Sequence, residues 1–457
     1  MNTQTIIELV KKHHSFFATN KTKDLAFRRE QLRKLRGLIV DHEQELFDAL
    51  RGDLDKPAFE SYVGETGFVI KEIDFALKHL AGWAKPERVR TPLIHFPGSS
   101  AIYREPCGVA LIIGPWNFPV QLMLVPLISA ISAGNCAVLK PSISALRTSH
   151  LIARLIRDTF DQCFISVVEG GAETTQALLG EKFDYIFFTG GPAVGRIVMT
   201  AAARHLTPVT LELGGKNPCI VDQDVDLDSA ARRIVWGKFF NSGQSCVAPD
   251  YLLVNRNVKK ALIERIKRSI RDFYGKDPSQ SQDYGRIIDT SHYDRITGLL
   301  SCGRVLLGGT GDRTTRYMAP TLLDDIQGNE PIMQEEIFGP ILPIIAYDKL
   351  SQAIAFVNER PRPLALYFFS RSKRVQEQVL HETSAGGGCI NDVVIHQTSA
   401  YLPFGGVDES GIGACHGKAG FDTFSHQRSV IKRGFSFDSS LRYPPYKNRL
   451  AWLRRFF

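Results

Sequence analysis

The chain has 457 residues, 44% hydrophobic and 23% charged, with a formal net charge of +8 and a pI near 9.0. Those are the proportions of an ordinary soluble globular protein, and the length implies about two to three domains rather than one small core. The basic surplus favours anionic partners such as a dinucleotide or an acidic membrane surface; with no zinc-finger spacing, no aromatic RNP-like run and no long Lys/Arg block, nucleic acid is the least supported of them.

The first ninety or so residues read as helical. Leu25, Leu32, Leu35, Leu38 and Ile39 recur at seven-, three- and four-residue spacings among Arg and Lys, as an amphipathic helix requires. Pro92 stops that pattern. Residues 93–96 then read as extended, Pro97-Gly98-Ser99-Ser100 as a turn and residues 101–103 as a second short strand, which together predict a hairpin.

Not one charged residue occurs across 107–139, a length that could span a bilayer. Gly114, Pro115, Asn117, Pro119, Gln121 and Pro126 interrupt it, and such breaks would strand backbone polar groups in lipid. The stretch therefore reads as strand 109–113, loop 114–119, buried helix 120–133 and strand 135–139. Further strands follow at 165–168, 185–188 and 208–213, with helices at 146–160, 173–178 and 194–203 between them. Such alternation predicts an α/β fold with a doubly wound parallel sheet. A second alternating stretch, 226–388, is also α/β, and no low-complexity linker separates the two. Near the C-terminus, residues 433–437 read as a strand and 447–457 as a short basic helix with Leu450, Trp452, Leu453, Phe456 and Phe457 beside Lys447, Arg449, Arg454 and Arg455.

Eight scattered cysteines without a C-x-x-C pair point to reduced thiols and a cytosolic compartment, and no signal-peptide core follows Met1. A free thiol is more often structural than reactive, and Cys302 and Cys389 keep that reading. Cys246 differs because it ends Phe240-Asn241-Ser242-Gly243-Gln244-Ser245-Cys246. Upstream, Glu212 closes an apolar run in Leu211-Glu212-Leu213-Gly214-Gly215-Lys216, where desolvation would raise its pKa towards that of a general base. Asn117, in Pro115-Trp116-Asn117-Phe118-Pro119, could donate to an oxyanion or merely serve a turn. Phe188-Thr189-Gly190-Gly191-Pro192-Ala193-Val194-Gly195 follows a strand and opens a helix, a geometry that aims backbone N–H groups at a pyrophosphate. No His/Cys cluster has metal-ligand spacing.

These motifs, with Glu335-Glu336-Ile337-Phe338-Gly339-Pro340 after them, resemble the aldehyde dehydrogenase superfamily over roughly residues 30–429, and several details resemble its class-three and fatty aldehyde branch. The resemblance implies that Cys246 is the nucleophile, Glu212 the base that activates water, and the Asn117 amide with the Cys246 backbone N–H the oxyanion donors. It assigns NAD or NADP to Lys140, Thr189, Gly190, Gly191, Gly195, Leu213, Gly214, Glu336 and Phe338, and a substrate channel to Phe118 and Trp236. Glu336 is an alternative base. Many members carry Glu three residues after the lysine, where this chain has Ile143; losing that repulsion, with Arg147 not far along, predicts use of both NAD and NADP.

The expected domains are an NAD(P)-binding unit of residues 1–92 and 107–212, a catalytic unit of 213–400, a small β oligomerisation element of 93–106 and 421–440 that makes a homodimer, and an amphipathic tail, 441–457. The tail reads as an interfacial helix on an anionic membrane, with packing on the protein as the alternative. The expected reaction is oxidation of medium- to long-chain, fatty or isoprenoid-type aldehydes to acids through a thiohemiacetal and a thioester. A CoA-acylating enzyme is disfavoured because Glu212 is present, and a non-catalytic binding protein because Cys246, Glu212 and Asn117 all remain.

Overall fold

A computed structural model describes residues 3–436, 438, 440–447 and 449–454. Its first layer is a six-stranded sheet in the spatial order Gly411–Ile412, Val209–Glu212, Tyr185–Thr189, Val109–Ile113, Cys136–Lys140, Ile165–Val167. All neighbours are parallel except Gly411–Ile412, which runs antiparallel against the end of Val209–Glu212. The strands Val109–Ile113 and Cys136–Lys140 are buried at every position, as a sheet covered on both faces demands. The uncharged stretch resolves into these two strands around the helix Gln121–Ala133, 13 residues long and buried nearly all round. Among the described residues no helix is long and apolar enough to cross a membrane.

The N-terminal helices cover this sheet. Asp24 caps the helix Leu25–Asp41 by accepting from the Ala26 N–H at 3.1 Å. Leu32, Leu35, Leu38 and Ile39 on its apolar stripe are buried, and Leu25 is half-buried. A separate seven-stranded sheet has the order Arg304–Leu307, Thr321–Asp324, Ile341–Tyr347, Tyr251–Asn255, Pro218–Val221, Ala365–Phe369, Gly387–Ile390. Only its first pair is antiparallel.

Two sequence expectations give way in the third, antiparallel sheet of Glu87–Val89, Gly98–Pro106 and Ser425–Arg433. Residues 93–96 are not a strand: Leu93–His95 is a single 3₁₀ turn, closed by the His95 N–H on the Pro92 carbonyl at 2.9 Å and the Phe96 N–H on the Leu93 carbonyl at 3.0 Å. The hairpin is built instead from Glu87–Val89, before the proline. Nor is 433–437 a strand. Ser425–Arg433 pairs residue for residue with Gly98–Pro106 and stops where that partner ends, at Arg433 opposite Gly98. Phe437 lies outside the described residues.

Candidate active site

Cys246 follows a turn that few sequences tolerate. Asn241, Ser242 and Gly243 all have positive φ (52°, 53° and 75°), and a Cβ on Gly243 would stand 2.3 Å from the Gly339 carbonyl oxygen. The turn carries Cys246 into a cavity of about 210 Å³ whose lining includes Asn117, Thr189, Glu212, Glu336 and Phe338. Three distant motifs of the sequence thus meet in one place.

Glu212 ends its strand with its backbone held on both sides, opposite Thr189 and Gly411. Burial pushes its carboxyl well above the ordinary range. Neither oxygen reaches full hydrogen-bond geometry with any described group, and only the Cys415 thiol, a weak donor, lies near enough to pull the carboxyl back down. Nothing in the sequence singled out Cys415 for this contact, since it comes from a loop some two hundred residues away.

Asn117 is buried, and its Nδ2 donates to the Gln244 carbonyl at 3.2 Å. Sequence reasoning missed what holds its loop. The Lys56 ammonium donates to Glu65 Oε1 at 2.6 Å and to the Asn117 carbonyl at 2.9 Å, with both side chains of the ion pair fully buried. Glu65 Oε2 accepts from the Val120 and Gln121 N–H groups at 3.0 and 2.9 Å. Glu60 Oε2 accepts from the Asn241 N–H at 2.9 Å, so acids five residues apart hold both loops of the cavity. After Glu60 the helix widens into a π-turn, Tyr62–Thr66, which contains Glu65, a distortion often found at functional sites.

Burial raises the Cys246 thiol far above its ordinary value, and the charges of Glu336 and Glu212 add to that. Glu336 is itself pushed up to about 8, by burial first and by Asp250 second. It lies directly on Gly214, where a Cβ would stand 1.8 Å from its Oε2. The Phe338 ring meets Trp116 edge-on at 5.3 Å. Phe118 and Trp236 do not line this cavity; they meet around Phe240, at 6.1 and 5.7 Å between ring centroids.

Of the residues expected to hold a dinucleotide, Lys140, Thr189, Gly190, Gly191, Leu213 and Gly214 lie at the carboxyl ends of the first sheet's strands, where ligands bind in open α/β sheets, whereas Glu336 and Phe338 come from the loop before Ile341–Tyr347 of the second sheet. Gly190, Gly191 and the helix Pro192–Ala203 form the glycine turn, and a Cβ on Gly195 would stand 2.8 Å from Leu213, so these two residues pack closely. Thr189 Oγ1 and Glu336 Oε1 are buried polar atoms without a partner, which fits them to a polar ligand laid between them. Lys140, at the end of Cys136–Lys140, is buried with its ammonium donating to the Pro141 carbonyl at 2.7 Å.

A half-buried thiol beside two carboxyl groups with raised pKa, at the mouth of a doubly wound sheet, is the arrangement expected of an enzyme site that works with a dinucleotide. The profile of the aldehyde dehydrogenase family matches residues 1–430. The chain is 48% identical over 445 residues to the 4,4'-diaponeurosporen-aldehyde dehydrogenase of Staphylococcus aureus, covering 97% of each. It is 47% identical over 443 residues to the dimeric NADP-preferring aldehyde dehydrogenase of Canis lupus familiaris, covering 96% of this chain and 98% of that one. The solved substrate-bound state of Staphylococcus aureus AldH superposes with a TM-score of 0.97 at 47% identity, over 98% of this chain and 99% of the other. The chain belongs to the aldehyde dehydrogenase family: it is an oxidoreductase acting on aldehydes with NAD or NADP.

Proposed function

We propose that Cys246 is the nucleophile, Glu212 the base and Asn117 the oxyanion donor in the oxidation of apolar aldehydes to carboxylic acids. The observation that carries this is the Glu212 carboxylate, buried without a hydrogen-bond partner in the cavity that holds Cys246 and Asn117. A carboxylate so placed is a strong proton acceptor and has a free lone pair for water.

With its thiol pKa raised, Cys246 rests protonated and must surrender its proton to attack; Glu212 is positioned to take it. Addition to the aldehyde carbon gives a thiohemiacetal whose oxyanion accepts from the Asn117 amide and the Cys246 N–H. The dinucleotide, when bound, supplies the hydride acceptor. Lys140, Thr189, Gly190, Gly191, Gly195, Leu213, Gly214, Glu336 and Phe338 would hold it. Once Glu212 has passed the thiol proton to solvent it draws another from water, whose oxygen adds to the thioester carbon, so that the acid leaves and the sulfur departs as the Cys246 thiolate.

Trp116, Leu122 and Phe338 in the cavity, with Phe118, Trp236 and Phe240 behind it, favour an apolar chain on the substrate. The name of the staphylococcal relative, an isoprenoid-type aldehyde dehydrogenase, agrees with that preference. The chain acts as a homodimer, as the name of the canine relative says of that protein. Its interface includes the three-stranded sheet, beside which Leu93, Ile94, Phe96 and Ile431 stand exposed. In this reading residues 1–92 and 107–212 form the NAD(P)-binding domain and 213–400 the catalytic domain. The tail lies on an anionic membrane surface at the cytosolic face.

The deciding experiment follows NAD(P)H absorbance with a panel of aldehydes, with and without CoA. Cys246→Ala abolishes oxidation yet leaves cofactor binding intact, whereas Glu212→Gln stalls with an acyl adduct on Cys246 visible by mass spectrometry after a quench. Near-wild-type turnover of Cys246→Ala, or fast turnover of Glu212→Gln without an adduct, would refute the respective assignment.

A further inference from the structure

The loss of an acid at position 143 leaves open which group reads the 2′ position of the adenine ribose. The two loops beyond the strands Cys136–Lys140 and Ile165–Val167 lie side by side, since those strands are parallel neighbours. Ile143 is exposed on the first, and its Cδ1 lies 3.7 Å from where a Cβ would stand on Gly171 of the second. Two residues before Gly171 stands Glu169, which pairs with His150 on the helix Leu146–Thr159. Glu169 is close enough to Lys140 for its charge to offset part of the burial that depresses that ammonium. Arg147, the other cation the sequence offers, packs its guanidinium over Gly52 of the helix Glu43–Leu54.

Glu169 therefore sits at the carboxyl end of the sheet beside the lysine assigned to the ribose, on the loop that faces Ile143. We propose that Glu169, backed by His150, is the carboxylate that weighs the ribose 2′ position, weakening NADP relative to NAD in place of the acid absent at 143. The inference rests on the dinucleotide reading above. A carboxylate there accepts from a 2′-hydroxyl and opposes a 2′-phosphate. His150, as the partner that shares the carboxylate's charge, tempers the opposition, so both cofactors are admitted with Glu169 setting their ratio.

The test uses the full chain and the two ligand fragments that differ only at this position: adenosine 5′-monophosphate and adenosine 2′,5′-bisphosphate. Their dissociation constants are measured by calorimetry, alongside NAD and NADP turnover. In Glu169→Gln the bisphosphate should bind about tenfold tighter, the effect of removing one like charge at short range through partly screened solvent. The monophosphate should change by less than threefold. His150→Gln, which frees the carboxylate, should weaken the bisphosphate instead, and Ile143→Glu should weaken it further. A bisphosphate-to-monophosphate ratio unchanged within twofold in Glu169→Gln, with NAD(P)H still formed from aldehyde, overturns this proposal alone. Failure of both fragments to bind the wild type, with no aldehyde-dependent NAD(P)H, overturns the dinucleotide reading and this proposal with it.

Discussion

At the scale of single residues, the cavity is a problem of shared charge. Buried Glu212 and half-buried Cys246 and Glu336 share one cavity, and each ionisation makes the next more costly. Glu336, with its carboxyl at about 8, is neutral at pH 7 and ionises as the pH rises through that value. Once ionised, it opposes the Cys246 thiolate. Glu336→Gln removes that opposition, so in the cofactor-free protein Cys246 should be alkylated severalfold faster than in wild type at about pH 9, with equal rates at about pH 7. Equal rates at both values would show that Glu336 does not act on the thiol.

At the scale of elements, one helical run positions two loops. Lys56 precedes the helix Ala58–Ser61, Glu60 lies within it, and Glu65 follows in the π-turn. Their side chains hold the Asn117 and Asn241 backbones from below. Lys56→Met would leave the Glu65 carboxylate buried without its counter-charge, held only by the Val120 and Gln121 N–H groups, a change that costs about 3–5 kcal/mol where a buried pair is broken. Denaturant unfolding should report that loss, and aldehyde turnover should fall with it because the Asn117 carbonyl loses its anchor. Adding Glu65→Gln should restore part of the stability, since an amide oxygen still accepts from Val120 or Gln121. Wild-type stability of Lys56→Met would mean that the pair is dispensable to the fold.

The whole molecule sets a different question at its C-terminal end. Arg449–Leu453 is helical, with Leu450 exposed, and the Arg449 guanidinium donates back to the Ser440 carbonyl at 2.7 Å. Arg455, Phe456 and Phe457 lie outside the described residues. Basic residues beside an apolar stripe each add about 1 kcal/mol near an anionic surface. Removing residues 447–457 should release the protein from anionic liposomes and impair long-chain aldehydes more than short ones. Unchanged sedimentation and an unchanged chain-length profile would show that the tail serves only structure.

Much of this protein was legible in its sequence because its signals are local. Strand–helix alternation, the glycine turn after Phe188 and the apolar run into Glu212 each depend on neighbours along the chain, and the five parallel strands of the first sheet stand within a residue or two of their expected places, whereas its antiparallel edge, Gly411–Ile412, was not foreseen. The motifs around Asn117, Glu212 and Cys246 named the chemistry for the same reason. Where backbone pairing across the chain decided the outcome, local reading failed. Pro92 was expected to end the helical pattern, yet the helix stops earlier, at Trp83, and the strand Glu87–Val89 forms ahead of the proline, where it aligns with Gly98–Pro106. The third strand took its length from that partner rather than from its own residues. Only the tertiary structure set Lys56 and Glu65 under Asn117, Cys415 beside Glu212 and Glu169 beside Lys140. Those contacts join segments tens to hundreds of residues apart, and burial, which moves their charges, is a property that no short window of sequence contains.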